Sequence, residues 1–244
     1  MTDERTQHPL GRYAMAAAVL LGSIAIAGAL KDIRRGDDAV SVTGSARRPI
    51  RSDFVVWRAT VATQLPTLSA SSQDLQREAA RVRAFLKKQG IPDSIVTQKP
   101  IEAYPVNETT VDGRETGRIV AYRVSQTFEL RSADVDGITR LSQDAGELIS
   151  AGVPMVTQPP EYLFTKLADL RVALLEEATR DAKLRADAIT RSTGGRVGSV
   201  RDAKMGVFQI TPRFSTEVSD YGVYDLTSID KDVTAVVRVT FAVR

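Results

Sequence analysis

Cysteine and histidine, two residue types that often serve as catalytic groups or metal ligands, are almost absent from this sequence. The chain has no Cys and a single His, His8, which lies in a polar tail ahead of an apolar segment. A folded domain after that segment therefore has no His-dependent triad, thiolate nucleophile, or His- or Cys-based metal centre. These absences exclude many enzyme classes. We predict a non-enzymatic protein with no catalytic residue, no bound metal and no cofactor.

Three carboxylates, Glu176, Glu177 and Asp181, are the remaining candidates for acid–base chemistry or metal binding. Glu177 and Asp181 are four residues apart, which places them on one face of a predicted helix. Basic residues surround them, so an ion-paired, solvated helix face is the favoured interpretation. An enzyme would need these carboxylates to converge in a cleft with shifted pKa values.

The aromatic segment, Met205–Thr227, is the strongest candidate for a binding surface. It combines aromatic residues with Gly and Pro and shows no clear hydrophobic period. Long irregular loops in compact domains are usually functional or disordered, and exposed aromatic side chains favour contact with a partner. We therefore predict an interface here, with a plain loop, a long β-hairpin or a ligand pocket as alternatives. The candidate interface residues of this segment are Phe208, Phe214, Tyr221 and Tyr224.

Composition indicates one folded body and gives no sign of nucleic-acid binding. The 244-residue chain is 43% hydrophobic and 26% charged, which is ordinary for a globular protein. Its 33 basic and 30 acidic residues are interspersed after residue 50, whereas a nucleic-acid-binding protein concentrates basic residues in a patch.

An uncharged run, Ala14–Leu30, predicts a membrane helix near the N-terminus. At 1.5 Å per residue it spans roughly 25 Å, close to the thickness of a hydrocarbon core. We predict an uncleaved single-pass anchor, with a cleaved secretory signal and a buried core helix as alternatives. The basic residues that follow the run outnumber those that precede it, which favours a cytoplasmic domain.

The remaining elements predict an α+β fold of two tandem β-β-α-type units with mixed or antiparallel sheets and helices on one face. Strands are expected at 39–44 and 54–64 as one hairpin, at 95–105 and 118–130 as another, and at 153–163, 196–200 and 233–243. Helices are expected at 69–89, capped by Ser69 or Ser71, at 135–149, and at 166–193. The chain thus divides into a tail (1–12), an anchor (13–31), a linker (32–38) and a domain (39–244).

One face of the long helix changes from leucine to alanine along its length. Small side chains require a close neighbour, which is either the protein's own sheet, the favoured partner, or a helix of another subunit. We therefore add Ala178, Ala182 and Ala186 to the candidate interface.

Several strings in this order resemble the SIMPL family, long catalogued as a domain of unknown function. They are the first strand (Val40–Gly44), the end of the first helix (Phe85–Ile91), the fourth strand (Val120–Gln126) and the Ala-rich helix and turn (Ala178–Gly198). Asp230–Lys231 departs from the family pattern, in which a Pro-Gly turn often precedes the last strand.

The resemblance implies a non-enzymatic envelope protein with no catalytic residues to carry over. Some members assemble into large rings, and others are linked to stress tolerance. We expect a homo-oligomer, ring-like in form, with a scaffold or stress-protective role, anchored in a bacterial inner membrane with its domain in the periplasm. The alternative function is a periplasmic module that presents the aromatic segment to a small molecule, a glycan or a protein.

Overall fold

The computed structural model describes Ser23 and residues 38–244 of the chain. The predicted tail, anchor and linker lie outside these residues, apart from Ser23 and Asp38. No helix in the described part of the chain is both long enough and apolar enough to cross a bilayer.

The described residues form an α+β fold, which confirms the predicted class. The elements are β1 (Ala39–Arg51), β2 (Phe54–Leu65), α1 (Leu68–Lys88), a 3₁₀ turn (Asp93–Ile95), β3 (Val96–Gln98), β4 (Glu102–Thr109), β5 (Glu115–Ser132), α2 (Val135–Asp144), α3 (Gly146–Ser150), β6 (Met155–Thr157), β7 (Glu161–Leu163), α4 (Leu167–Ser192), β8 (Val197–Met205), β9 (Gln209–Pro212) and β10 (Asp230–Val243).

The chain divides into two compact units. The first unit contains residues 38–46, Ala173–Val207 and Ala235–Arg244. The second unit contains Arg47–Val172 and Phe208–Thr234. Each of β1, α4 and β10 contributes residues to both units.

The sheet of the second unit is built around β2 and β5. Its strand order is β3-β5-β2-β6, with β4 also paired to β5 and β7 also paired to β2. β2 and β5 run antiparallel from Val55 opposite Ser132 to Leu65 opposite Tyr122. Alternate residues of β2 are buried on one face, because successive side chains of a strand point to opposite sides. These residues are Val55, Trp57, Ala59 and Val61.

Helices α1 and α2 cover that face and complete the core of the second unit. The predicted stripe of α1 is buried, from Leu75 to Leu86, and the helix is followed by Gly90 at φ 73°. Thr67 caps the helix by accepting a hydrogen bond from the Ala70 N–H, so the prediction of Ser69 or Ser71 as the cap is wrong.

Ser71 instead joins α1 to the sheet from a fully buried position. Its hydroxyl accepts a hydrogen bond from the Leu65 N–H at 2.9 Å and donates one to the Tyr122 carbonyl at 2.7 Å. These bonds satisfy a polar group that would be costly to bury alone.

In the first unit, α4 approaches β1 very closely. A Cβ atom built on Gly44 would lie 2.1 Å from the Ala178 carbonyl oxygen and 2.4 Å from the Ala182 nitrogen. The strand and helix backbones can therefore meet only because position 44 has no side chain. Beside β1, the sheet continues with β10 and then β8.

Two pairing and boundary predictions require correction. β1 and β2 do not form the expected hairpin, since β1 pairs with β10 while β2 lies between β5 and the short strands β6 and β7. The expected helix at 135–149 is divided at Ala145 into α2 and α3. The long helix α4 is confirmed. The second hairpin is confirmed between β4 and β5, but the single strand expected at 95–105 is divided into β3 and β4, which both pair with β5.

Candidate interaction surface

Most of the aromatic segment lies in the second unit. There it consists of the short strand β9 followed by an irregular connection. β9 pairs antiparallel with β10, from Pro212 opposite Lys231 to Gln209 opposite Thr234. Residues 213–229 link the two strands, so the segment is built as a hairpin with a long connection, one of the alternatives weighed for it.

This connection exposes large apolar side chains. The exposed fractions are 81% for Phe214, 77% for Val218, 97% for Tyr221 and 51% for Tyr224. Phe208 is only partly exposed, and the guanidinium of Arg171 lies 5.4 Å from its ring centroid. Three of the four aromatic residues predicted for the interface therefore lie on the surface, with Val218 beside them in sequence.

A buried glutamine on β9 holds the backbone of this connection in place. The side chain of Gln209 donates a hydrogen bond to the Ser219 carbonyl at 2.7 Å and accepts one from the Val223 N–H at 2.8 Å. The backbone adds bonds from Ile210 to Val223 and from Asp225 to Ile210. Both polar ends of the amide are satisfied, so burial of Gln209 orders the connection at little cost.

A buried carboxylate holds Phe214 in place. Asp232 accepts hydrogen bonds from the Arg47 guanidinium at 2.5 Å and from the Phe214 N–H at 3.1 Å. Phe214 has φ 63°, a left-handed conformation that a bulky residue adopts only when its surroundings impose it. The bond to Asp232 supplies that constraint, and the ring of Phe214 is left exposed.

Lys231 ties the end of the connection to β7 from a position that is 2% exposed. Its ammonium donates hydrogen bonds to the carbonyls of Tyr162, at 2.6 Å, and Asp225, at 2.5 Å. Burial lowers the pKa of Lys231, although the nearby charge of Asp225 opposes that effect. Asp230 and Lys231, which stand where the family pattern often has a Pro-Gly turn, both belong to β10.

Asp225 is held ionised by its own short-range bonds. Burial would raise the pKa of its carboxyl group, but hydrogen bonds from Thr227 and Ser228 and the charge of Lys231 outweigh burial and lower it. The buried polar groups of this region are therefore used to fix the backbone of the connection. The exposed side chains of the connection include its aromatic residues and the cation of Arg213.

The alanines of α4 occupy a different environment. Ala178, Ala182 and Ala186 have no exposed surface, and the contact at Gly44 shows that α4 packs against the protein's own β1. This confirms the favoured interpretation of the alanine face. We therefore remove the three alanines from the candidate interface, because they offer no side-chain surface to a second subunit.

The acidic cluster of α4 contributes a structural bond. Asp181 accepts a hydrogen bond from the Ser45 N–H at 2.8 Å, and Arg185 donates to the same oxygen at 2.8 Å. The Ser45 bond is the main reason that the pKa of Asp181 is lowered, with burial opposing it. Among the described residues, no three Asp, Glu or His side chains are grouped to hold a metal ion.

A cavity of about 470 Å³ in the second unit was not foreseen from the sequence. It lies where α1 ends and α2 begins, with Ile91, Ile138 and Leu141 among its apolar walls and Arg140 among its polar ones. Two chain segments that are distant in sequence, 89–95 and 132–144, form it, and neither carries a local motif for a pocket.

Comparison with protein families supports the resemblance drawn from the sequence strings. The model for SIMPL, described as a protein of unknown function (DUF541), matches residues 40–241. A comparison with curated proteins gives no match. Because the family match covers most of the chain, the protein belongs to the SIMPL family.

Proposed function

We propose that this protein is a non-enzymatic, membrane-anchored envelope protein that assembles into a homo-oligomer through its aromatic segment. The observation that carries the proposal is the exposure of Phe214, Val218, Tyr221 and Tyr224 on a connection whose backbone is held by buried hydrogen bonds. A held backbone loses little conformational entropy on binding, so more of the apolar contact energy stabilises the complex.

The size of the exposed surface indicates how strong such a contact is. Burying one large apolar side chain contributes roughly 1.5–3 kcal/mol, so four contribute on the order of 6–12 kcal/mol. Association itself costs roughly 4–15 kcal/mol. A contact made by these side chains alone is therefore marginal in dilute solution. It becomes stable when the subunits are confined together, in one membrane or in a shared detergent micelle, since confinement raises their effective concentration.

A membrane anchor supplies that confinement. The proposed anchor is the apolar run Ala14–Leu30, with the domain facing the periplasm of a bacterial cell. A cleaved signal that leaves a periplasmic domain, and an anchored domain facing the cytoplasm, are the alternatives. A scaffold or stress-protective role, with a ring-like assembly, follows the family resemblance.

The mass of the full-length protein in a mild detergent tests this proposal. We expect an oligomer by light scattering after size exclusion at micromolar concentration. The double variant Val218→Ser/Tyr221→Ser should shift the protein toward the monomer. Tyr104→Ser is the matched control, because Tyr104 is also an exposed aromatic residue, 57% exposed, but lies on β4. A monomeric wild type, or an oligomer that the double variant leaves intact, contradicts the proposal.

The same exposed side chains favour a second function, a periplasmic binding module that presents the aromatic segment to another molecule. Arg213 lies 5.2 Å from the ring centroid of Phe214, so a cation and exposed rings are available side by side for a glycan, a small molecule or a protein. This function predicts a monomer or dimer in the mass measurement.

A further inference from the structure

Along β1 and β10, the sheet of the first unit has one covered face and one open face, whereas most of β8 is exposed on both faces. On the covered face, Val42, Val237 and Val239 are buried, and Gly44 meets α4. On the open face, Ser41, Thr43 and Arg238 are exposed, as the alternation of side chains along a strand requires. A ligand on the open face would therefore meet these polar residues.

Thr43 and Arg238 form a row across three strands together with Lys204, an exposed residue of β8. Arg238 on β10 is directly opposite Lys204 on β8. On the other side, Val243 donates a hydrogen bond to the Asp38 carbonyl, and the hydroxyls of Thr240 and Ser41 are 3.2 Å apart. These two contacts set β1 antiparallel to β10 in a register that places Thr43 opposite Arg238.

Placing Arg238 opposite Lys204 is electrostatically unfavourable. Like charges directly opposite each other in adjacent strands destabilise a sheet. In the part of the chain that the structure describes, no ion pair neutralises either side chain. Asp202 shares this face of β8, opposite Thr240, without pairing to either cation. An external anion would relieve the repulsion.

The row borders a depression large enough for an anionic group. Thr43, Lys204 and Arg238 line a concavity of about 210 Å³, together with Met205, Gly206 and Val236. Gly206 contributes no side chain there, and a Cβ at this position would lie 3.2 Å from the Val236 carbonyl oxygen. The missing side chain keeps the space beside the two cations open.

We propose that this row binds the phosphate group of a ligand. A guanidinium offers paired N–H donors that match phosphate geometry, an ammonium adds a compact charge, and the threonine hydroxyl adds a neutral donor. Three donors in a row match the several terminal oxygens of a phosphate better than the two oxygens of a carboxylate. The phosphate belongs to a soluble phosphate ester or to a lipid headgroup. The lipid source rests on the proposed membrane anchor, whereas the soluble source does not.

Amine labelling of the full chain in phospholipid nanodiscs tests the site. In discs of phosphatidylcholine, inorganic phosphate is compared with chloride at equal ionic strength. In a second arm without added phosphate, phosphatidylglycerol replaces part of the lipid. We expect the labelling rate of Lys204 to fall by about threefold, the change produced when roughly two thirds of the sites are filled. Lys183, an exposed lysine on α4, is the control and should not change.

The variant Arg238→Gln should remove the protection of Lys204, and Thr43→Val should weaken it if Arg238→Gln does not fold. Protection by inorganic phosphate assigns the soluble source, and protection by phosphatidylglycerol assigns the lipid source. The proposal is overturned by no protection in either arm, by equal protection of Lys183, or by protection that survives in the variants. Co-elution of the chain with the discs tests the anchor separately.

Discussion

Adding one methyl group at Gly44 tests the packing of the first unit most directly. In the variant Gly44→Ala, the new Cβ would lie 2.1 Å from the Ala178 carbonyl oxygen and 2.4 Å from the Ala182 nitrogen. Both obstructing atoms belong to the backbone of α4, so no side chain can rotate away. The helix or the strand must move instead.

The required movement sets the size of the effect. Non-bonded carbon and oxygen atoms settle at about 3.3 Å or more, so the two backbones must separate by roughly 1 Å. Overpacking a core usually costs about 1–3 kcal/mol, and more when backbone has to shift. The separation also stretches the hydrogen bond from Ser45 to Asp181, now 2.8 Å. We expect a loss of at least about 3 kcal/mol in the free energy of unfolding.

Urea unfolding of the full-length protein, followed by far-UV circular dichroism, measures this loss. Gly146→Ala is the matched control, because a Cβ at Gly146 meets nothing within 4 Å. It should leave stability unchanged or raise it by up to about 1 kcal/mol. A loss below about 1 kcal/mol for Gly44→Ala would refute the close contact between β1 and α4.

Three further predictions concern buried charges. Hydrogen bonding from Arg58 lowers the pKa of Glu129 below its ordinary 4.5, although burial opposes this effect. The ionised carboxylate therefore stabilises the fold above pH 4.5, and this stabilisation is lost as the pH falls through the pKa of the folded protein. Glu129→Gln should lower the free energy of unfolding by about 2 kcal/mol at pH 7. It should also reduce the loss of stability that occurs as the pH falls. Burial lowers the pKa of Lys231 from 10.5. The free energy of unfolding should therefore rise as the pH increases from the pKa of the folded protein toward 10.5. The variant Lys231→Met should abolish this rise. Asp232→Ala should remove the hydrogen bond that holds the Phe214 backbone, lower the free energy of unfolding by about 2 kcal/mol, and reduce the mass of the oligomer.

Each of these outcomes has a direct check. Urea titrations followed by the fluorescence of the single tryptophan, repeated from pH 3 to 10.5, report both pH effects. Unchanged acid slopes for Glu129→Gln, or an alkaline rise that persists in Lys231→Met, would contradict the corresponding assignments. For Asp232→Ala, an oligomer of wild-type mass by light scattering would show that assembly does not depend on the position of Phe214.

Local sequence signals predicted the helices better than the strand partners. α1 was recognised because the buried positions from Leu75 to Leu86 repeat at helical spacing and Gly90 stops the helix. The β1–β2 hairpin was expected because the two strands are adjacent in sequence. The actual partner of β1 is β10, at the far end of the chain, and no local pattern encodes a pairing over that distance.

The candidate surface was only partly predictable for a similar reason. Aromatic content and missing periodicity identified the segment that exposes Phe214 and Tyr221. Lys231, in contrast, has the polar character of a turn residue, and its burial depends on carbonyl groups of Tyr162 and Asp225. A buried lysine can be recognised only when the acceptors that surround it are known.

The direction of the carboxylate pKa shifts indicates a structural role for the groups concerned. A general acid that works near neutral pH needs a raised pKa, and a carboxylate base is strengthened in the same way. The resolved carboxylate shifts in the described residues, at Glu108, Glu129, Asp181 and Asp225, are all downward. Each of these groups is engaged with nearby donors that favour its ionised form, which makes it a weak base and an effective structural anchor. The exposed side chains of the aromatic segment combine aromatic rings with the cation of Arg213, and exposed aromatic side chains favour contact with a partner.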